Sequence, residues 1–121
     1  MTRSPLLQIV RDSIEEVIEA RRIIKREELL EKYPVLEQNI ASVITLRVED
    51  ELREARSDEA LKPLIDDIIY NAKAAAFQDA KYSPITTAQY LRCTISLSLL
   101  IPDEEGGFIM ETSTDEPLLK D

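Results

Sequence analysis

The sequence has no histidine, no tryptophan, one cysteine and two glycines. Without imidazole there is no histidine general base, no Ser-His or Cys-His dyad, and no zinc site built on histidine. A lone Cys93 excludes an internal disulfide framework. The glycines, Gly106 and Gly107, are adjacent and near the C-terminus, so no glycine-rich phosphate loop can form. No apolar run approaches the roughly 18 residues that span a bilayer. The N-terminal stretch turns acidic within about three helical turns and carries no uncharged apolar segment, so no signal peptide is read there. A reduced thiol then places the chain in the cytoplasm.

Positive charge is also scarce. Fifteen Lys and Arg face 24 Asp and Glu, a net charge of −9. Phosphate backbones are bound by clustered Lys and Arg, so nucleic acid is not an expected partner. Tyr70, Tyr82 and Tyr90 lie apart without a basic surround and make no base-stacking platform. The acidity is concentrated at one end. Residues 103–121 hold seven acids against Lys120, a net of −6. Solubility is the ordinary explanation of such a tail.

What is present is one domain's worth of chain. The 121 residues, 44% hydrophobic and 32% charged, match a single soluble globular unit. Ser4-Pro5 opens a helix expected over about 5–22. Its apolar stripe is Leu6, Leu7, Val10, Ile14, Val17 and Ile18, with Gln8, Arg11, Asp12, Glu15, Glu16 and Glu19 opposite. The residues from Arg26 to the one before Pro34 read as a short helix. The basic run Arg21, Arg22, Lys25, Arg26 is followed by Glu27, Glu28 and Glu31, which reads as a self-paired surface rather than an anion site. Residues 40–48 are β-branched and free of Gly and Pro, hence a strand. Residues 49–60 hold helix formers and no β-branched side chain, so local propensity reads helix or loop.

The best-specified stretch is 64–101. A helix expected over about 63–79 carries Leu64, Ile65, Ile68, Ile69, Ala72, Ala75 and Ala76 on one stripe. Asp66 and Asp67 are adjacent, about 100° apart around the axis, and read as helix-start acids rather than a catalytic pair. Thr86-x-x-Gln89 has capping-box form. Cys93, Ile95, Leu97, Leu99 and Ile101 then alternate with Arg92, Thr94, Ser96 and Ser98, which predicts a strand with one wet face. Cys93 falls on the core face and is expected to be a structural thiol. Gly106-Gly107 can reverse the chain, making Phe108, Ile109 and Met110 a hairpin partner and a new sheet edge. Beyond Ser113 disorder is expected.

Candidate chemistry is thin. Neither a Cys/His cluster nor an EF-hand-like loop is present, so no metal and no cofactor is assigned. The most polar linker, 79–84, contains Asp79, Lys81 and Tyr82. A Lys-Tyr pair can move protons where a pocket shifts its pKa values, and the competing reading is a helix C-terminus with Tyr82 as a packing anchor.

One resemblance stands out. Asn71-Ala72, Ala75-Ala76-Phe77, Asp79, Lys81-Tyr82 and Pro84-Ile85-Thr86, followed by Leu91, Ile95 and Leu97-Ser98-Leu99-Leu100, resemble the AMME-syndrome candidate-gene domain family over about residues 5–102. The strand at Val43-Ile44-Thr45-Leu46 and the tripeptide Glu51-Leu52-Arg53 also fall in place. The family carries Gly-Cys-Ile-Gly after its Leu-Arg, whereas Glu54-Ala55-Arg56-Ser57 stands here, and its Asp-Gly turn reads Glu49-Asp50. The family's C-terminal portion has no counterpart in the acidic tail, so the resemblance is to a divergent, truncated member. It implies an α+β domain with helices against an antiparallel or mixed sheet, in an intracellular protein acting beside others, a radical-SAM enzyme among them.

These readings combine into one expectation: a single α+β domain over 1–113 and an acidic, disordered tail over 114–121. The function expected is non-catalytic, an intracellular binding or accessory domain with a protein partner. The alternative is a small enzyme or small-molecule binder with a pocket beside the 79–84 linker, its polar groups Arg53, Asp79, Lys81 and Tyr82. Homo-oligomerisation through the C-terminal edge strand is a further expectation, and neither nucleic acid nor membrane is an expected partner.

Overall fold

The computed structural model describes residues 3–119. Four helices are present among them: α1 (Pro5–Ile18), α2 (Arg26–Lys32), α3 (Leu64–Phe77) and α4 (Thr87–Leu91). They accompany strands β1 (Ala41–Val48), β2 (Glu51–Arg56), β3 (Thr94–Pro102) and β4 (Phe108–Asp115), with a 3-10 turn at Pro34–Glu37. The strands form one antiparallel sheet in the order β2-β1-β3-β4. The long helices α1 and α3 pack on one of its faces. Their Leu7, Val10 and Ile14, and Leu64, Ile65, Ile68, Ala72, Ala75 and Ala76, are buried against Ile44, Leu46, Ile95 and Leu97. Alanine at 72, 75 and 76 removes bulk at the contact and lets the α3 backbone approach the sheet. The other face has no helix over it and is rich in hydroxyls. Ser98 and Thr112 are hydrogen-bonded across it at 2.8 Å. No helix among the described residues is long and apolar enough to cross a membrane.

Most elements lie where residue pattern places them, and the departures have local causes. The first helix stops at Ile18 rather than near 22, because Ala20 takes a left-handed φ of 52° and the chain then turns back. The Glu16 carboxylate receives the N–H groups of Ile23 and Ile24, both at 2.9 Å, and secures that turn. Val17, expected in the apolar stripe, is exposed on this last turn, whereas Arg11, expected on the wet side, is fully buried. The central helix is shorter than expected, 64–77 against 63–79. Pro63 serves as its N-cap, and the Ala76 carbonyl is taken by Ile85 N–H at 2.8 Å.

The largest departure is residues 49–60. Where propensity reads helix or loop, Glu51–Arg56 is strand β2, paired from Val48↔Glu51 to Val43↔Arg56. Strand preference depends on the neighbour, and β1 supplies a partner that propensity does not see. The turn between them is only Glu49-Asp50, with Glu49 at a φ of 53°. The hairpin at the other end follows expectation. Gly106 has a φ of 85°, and the Asp103 carboxylate holds the N–H groups of Glu105 and Gly107 at 2.9 and 2.8 Å. Part of the tail expected to be disordered over 114–121 is instead ordered. Thr114 and Asp115 complete β4, Leu119 N–H reaches the Leu91 carbonyl at 2.8 Å, and Lys120 and Asp121 lie outside the described residues. Asp115 supplies the reason. It is ion-paired to Arg11 at 2.7 Å and Arg3 at 2.9 Å, which ties the end of β4 to α1.

Candidate functional site

The four residues singled out by sequence meet at one place, where β2 faces the exit of α3. In β2 the side chains of Arg53, Ala55 and Ser57 alternate toward the helix layer. Ser57 bonds α3 directly, as described below, and Arg53 is 1% exposed. The Arg53 guanidinium is enclosed by the chain itself. Its Nη1 donates to the Ser83 carbonyl at 2.7 Å and more weakly to the Ala76 carbonyl at 3.3 Å, and its Nη2 donates to Glu51 Oε1 at 2.8 Å. The Tyr82 ring lies under it, 5.2 Å from Cζ to the centroid, a cation–π distance. Its Nε is buried and has no hydrogen-bond partner among the described residues.

Asp79 acts on main chain. Its carboxylate receives Lys81 N–H at 2.8 Å and Glu54 N–H at 3.2 Å, so it closes the turn after α3 and docks that turn on β2. The Lys81 N–H holds the Asp79 carboxyl below the usual range; partial burial opposes this, while Glu54 N–H and the charges of Lys81 and Arg53 add to it. The Lys81 residue is exposed and Tyr82 is half-buried. Arg53, Asp79 and Tyr82 are thus brought together as a brace between β2 and the 79–84 linker. Lys81 joins them through its backbone.

A second polar group lies at the other end of α3, near its start, and residue pattern does not reveal it. Asp67 is 1% exposed. Its Oδ2 receives Ser42 N–H at 2.8 Å and the Ser42 hydroxyl at 2.7 Å, and its Oδ1 receives the Ser57 hydroxyl at 2.6 Å. Asn71, one turn along α3, donates from Nδ2 to Ser42 Oγ and Ser57 Oγ, both at 3.0 Å. The carboxylate is therefore held by neutral donors from β1, from the end of β2 and from α3. An open cavity of about 400 Å³, lined by Ser57, Asp58, Glu59, Leu61, Lys62 and Asp67, borders it. The one available signal was Asn71 within the family-like motif, since a buried Asn four residues after an Asp on a core helix implies a shared polar contact.

The remaining groups with chemical capacity are also engaged. Cys93 is fully buried, and burial pushes its thiol pKa up against the opposing charge of Arg11. Tyr90 donates to Glu15 Oε2 at 2.5 Å; burial, with that acceptor, raises its phenol above the ordinary range. Reaction of Cys93 with a thiol-disulfide reagent is expected to be at least about a hundredfold slower in the folded protein than in urea, because attack requires opening the core. Stopped-flow thiol titration checks this, and comparable rates would mean the thiol is accessible. Of the pairing expected between the basic run and the acids after it, Arg26–Glu27 at 3.6 Å is present; Arg21 instead pairs back to Glu19 and Arg26 more closely with Asp66, both at 2.9 Å.

One surface is open instead of engaged. Phe108, Ile109 and Met110, consecutive on the edge strand β4, are 61%, 55% and 57% exposed. The register places Ile109 beside Ile101, toward the helix layer, and Met110 beside Leu100, on the open face. Both sides of the strand thus end in exposed apolar groups.

Comparison with known proteins agrees with this architecture. A family model, AMMECR1, matches residues 7–114, a span that reaches Thr114 in β4. The crystal structure of an uncharacterized protein from Pyrococcus horikoshii is similar, with a TM-score of 0.69 at 21% identity. That similarity covers 80% of this chain and 50% of the archaeal one, so the chain corresponds to half the length of that relative. No curated protein matches.

Proposed function

The chain belongs to the AMMECR1 family, and from that premise we propose that it is a non-catalytic binding or accessory domain, acting inside the cell on a protein partner. The observation that carries this reading is the exposure of Phe108, Ile109 and Met110 on an unpaired sheet edge. A contiguous apolar edge is a standing template for another chain, and proteins that do not use such an edge blunt it with charges, Pro or a bulge. Residues 108–110 carry no charge and no Pro, and the first charge on the strand is Glu111. The polar groups support the same reading, since Arg53 and Asp79 are spent on the chain's own carbonyls and amides. A single, buried cysteine suits a reducing compartment.

Affinity capture with the intact chain is expected to return one defined protein in near-stoichiometric amount, identified by mass spectrometry. Ile109→Lys or Met110→Lys is expected to lose it while leaving the thermal midpoint within a few degrees, as for an exposed position. Turnover of a substrate that disappears in Lys81→Ala or Tyr82→Phe would overturn the non-catalytic reading.

A second reading, a small-molecule or enzyme site beside the 79–84 linker, has one observation in its favour: the buried Arg53 Nε without a hydrogen-bond partner among the described residues. It requires a ligand whose binding shifts the NMR signals of Arg53 Nε and of the Tyr82 ring together. A second copy of the chain on the open edge would register as a dimer in sedimentation at high concentration.

A further inference from the structure

Resting on the binding reading above, we propose that the free edge of β4 takes an extended segment of a partner protein as a fifth strand, and that this segment alternates apolar with basic residues. The sheet order leaves β4 with β3 as its one neighbour among the described residues. Strand addition to such an edge gains main-chain hydrogen bonds irrespective of sequence, and side chains at alternate positions then select the partner.

The selection can be read from β4 and its hairpin. Phe108, Met110 and Thr112 point to the open face of the sheet, where an added strand would meet them with apolar side chains. Ile109 and Glu111 point to the other face. Glu104, Glu105 and Glu111 are exposed and make no ion pair among the described residues, and Asp103, which caps the hairpin, lies beside them. A strand laid along β4 therefore meets the Glu111 carboxylate on that face and those of Glu104 and Glu105 at the hairpin end, Asp115 being paired to Arg3 and Arg11. Basic residues on the same face of the added strand neutralise these charges, and cross-strand pairs of opposite charge are favourable where like charges directly opposite are not.

The same charges argue against a second copy as occupant. Two β4 strands related by a two-fold axis through the sheet pair antiparallel and keep their faces, so only residues on the same face can be opposite. Centred on Met110, such a pairing brings the hairpin end, with Glu104 and Glu105, to the Asp115–Glu116 end of the other copy. Centred on Glu111, it sets that carboxylate against itself. Centred on Thr112, it leaves Glu111 diagonal to both Glu111 and Asp115 of the other copy. Each arrangement gathers carboxylates, and each doubles a net charge of −9.

The test uses the intact chain and two short blocked peptides, one alternating Val and Lys, the other Val and Glu. Hydrogen exchange and fluorescence anisotropy read site and affinity. The Lys peptide is expected to slow exchange in residues 108–115 and to bind at least about tenfold tighter than the Glu peptide, the advantage shrinking with added salt. The double variant Glu104→Lys, Glu111→Lys, at exposed positions, is expected to reverse the preference. Equal affinities for the two peptides, with residues 108–115 protected, would overturn the charge selection and leave the binding edge standing. Protection absent from 108–115 with either peptide would remove the edge as the site. Slowed exchange in 108–115 on raising protein concentration alone would assign the edge to a second copy and overturn the proposal.

Discussion

Arg53→Ala is expected to destabilise the fold by about 3–5 kcal/mol, through a lost packing volume and the groups it strands. The guanidinium is the common partner of Glu51 Oε1 at 2.8 Å, the Ser83 carbonyl at 2.7 Å and the Tyr82 ring at 5.2 Å. It therefore ties β2, the linker after α3 and the end of α3 into one unit. Removing it leaves a cavity in a place 1% exposed and takes the donor from the Ser83 carbonyl and the partner from Glu51, while the Ala76 carbonyl keeps Ile85 N–H. Arg53→Lys is expected to recover less than half of the loss, because an ammonium cannot present two parallel donors to partners on different segments. Urea denaturation followed by far-UV circular dichroism measures both. A loss under about 1 kcal/mol for Arg53→Ala would mean that the brace is dispensable. The loss is expected without any change in partner capture through β4, provided that the variant is assayed well below its midpoint.

Asp67→Ala is expected to cost about 3 kcal/mol, or roughly 10 °C in midpoint, for a different reason. Asp67 accepts from Ser42 N–H, from the Ser42 and Ser57 hydroxyls and from Asn71 Nδ2. A hydroxyl can rotate to another acceptor, but the Ser42 N–H is fixed by strand β1 and stays buried without one. Each such donor costs about 1–3 kcal/mol. Asp67→Asn keeps one acceptor oxygen for the Ser42 N–H, and the Ser57 hydroxyl can turn to accept from the new amide. It is expected to lose only about 1 kcal/mol. Similar losses for the two variants, measured by thermal unfolding, would show that the charge itself, rather than the acceptor geometry, holds the cluster.

Much of the fold is legible in the residue order, and the exceptions share a cause. Ser4-Pro5, Thr86-x-x-Gln89 and Gly106-Gly107 act through contacts within a few residues, so their caps and turn appear where the chain alone places them. The alternation from Cys93 to Ile101 needs only that one face of the sheet be wet. Residues 49–60 were misread because Glu51–Arg56 is a strand by virtue of β1, and no local term in that segment favours pairing. Arg11 was misread for a related reason. A helical wheel places it among acids, whereas Asp115, 104 residues away, takes its charge at 2.7 Å in the interior.

The candidate site divides in the same way. Arg53, Asp79 and Tyr82 are found by residue type and by the motif around them. Their convergence, and the fact that their polar atoms are turned on the chain itself, follow from how β2 lies against the exit of α3. Asp67 was read as a helix-start acid, since nothing in its neighbours in sequence tells of Ser42 and Ser57 closing over it.

The sequence by itself determined the elements governed by short-range physics: the two long amphipathic helices, the capped turn, the half-buried strand, the terminal hairpin and the absence of imidazole and disulfide chemistry. Tertiary structure alone decided that an acidic, helix-prone segment would be an edge strand and that Arg11, Arg53 and Asp67 would be interior. Burial of a charge and pairing of a helix-prone segment both depend on distant partners. They are set by which segments meet, a property that residue periodicity does not carry.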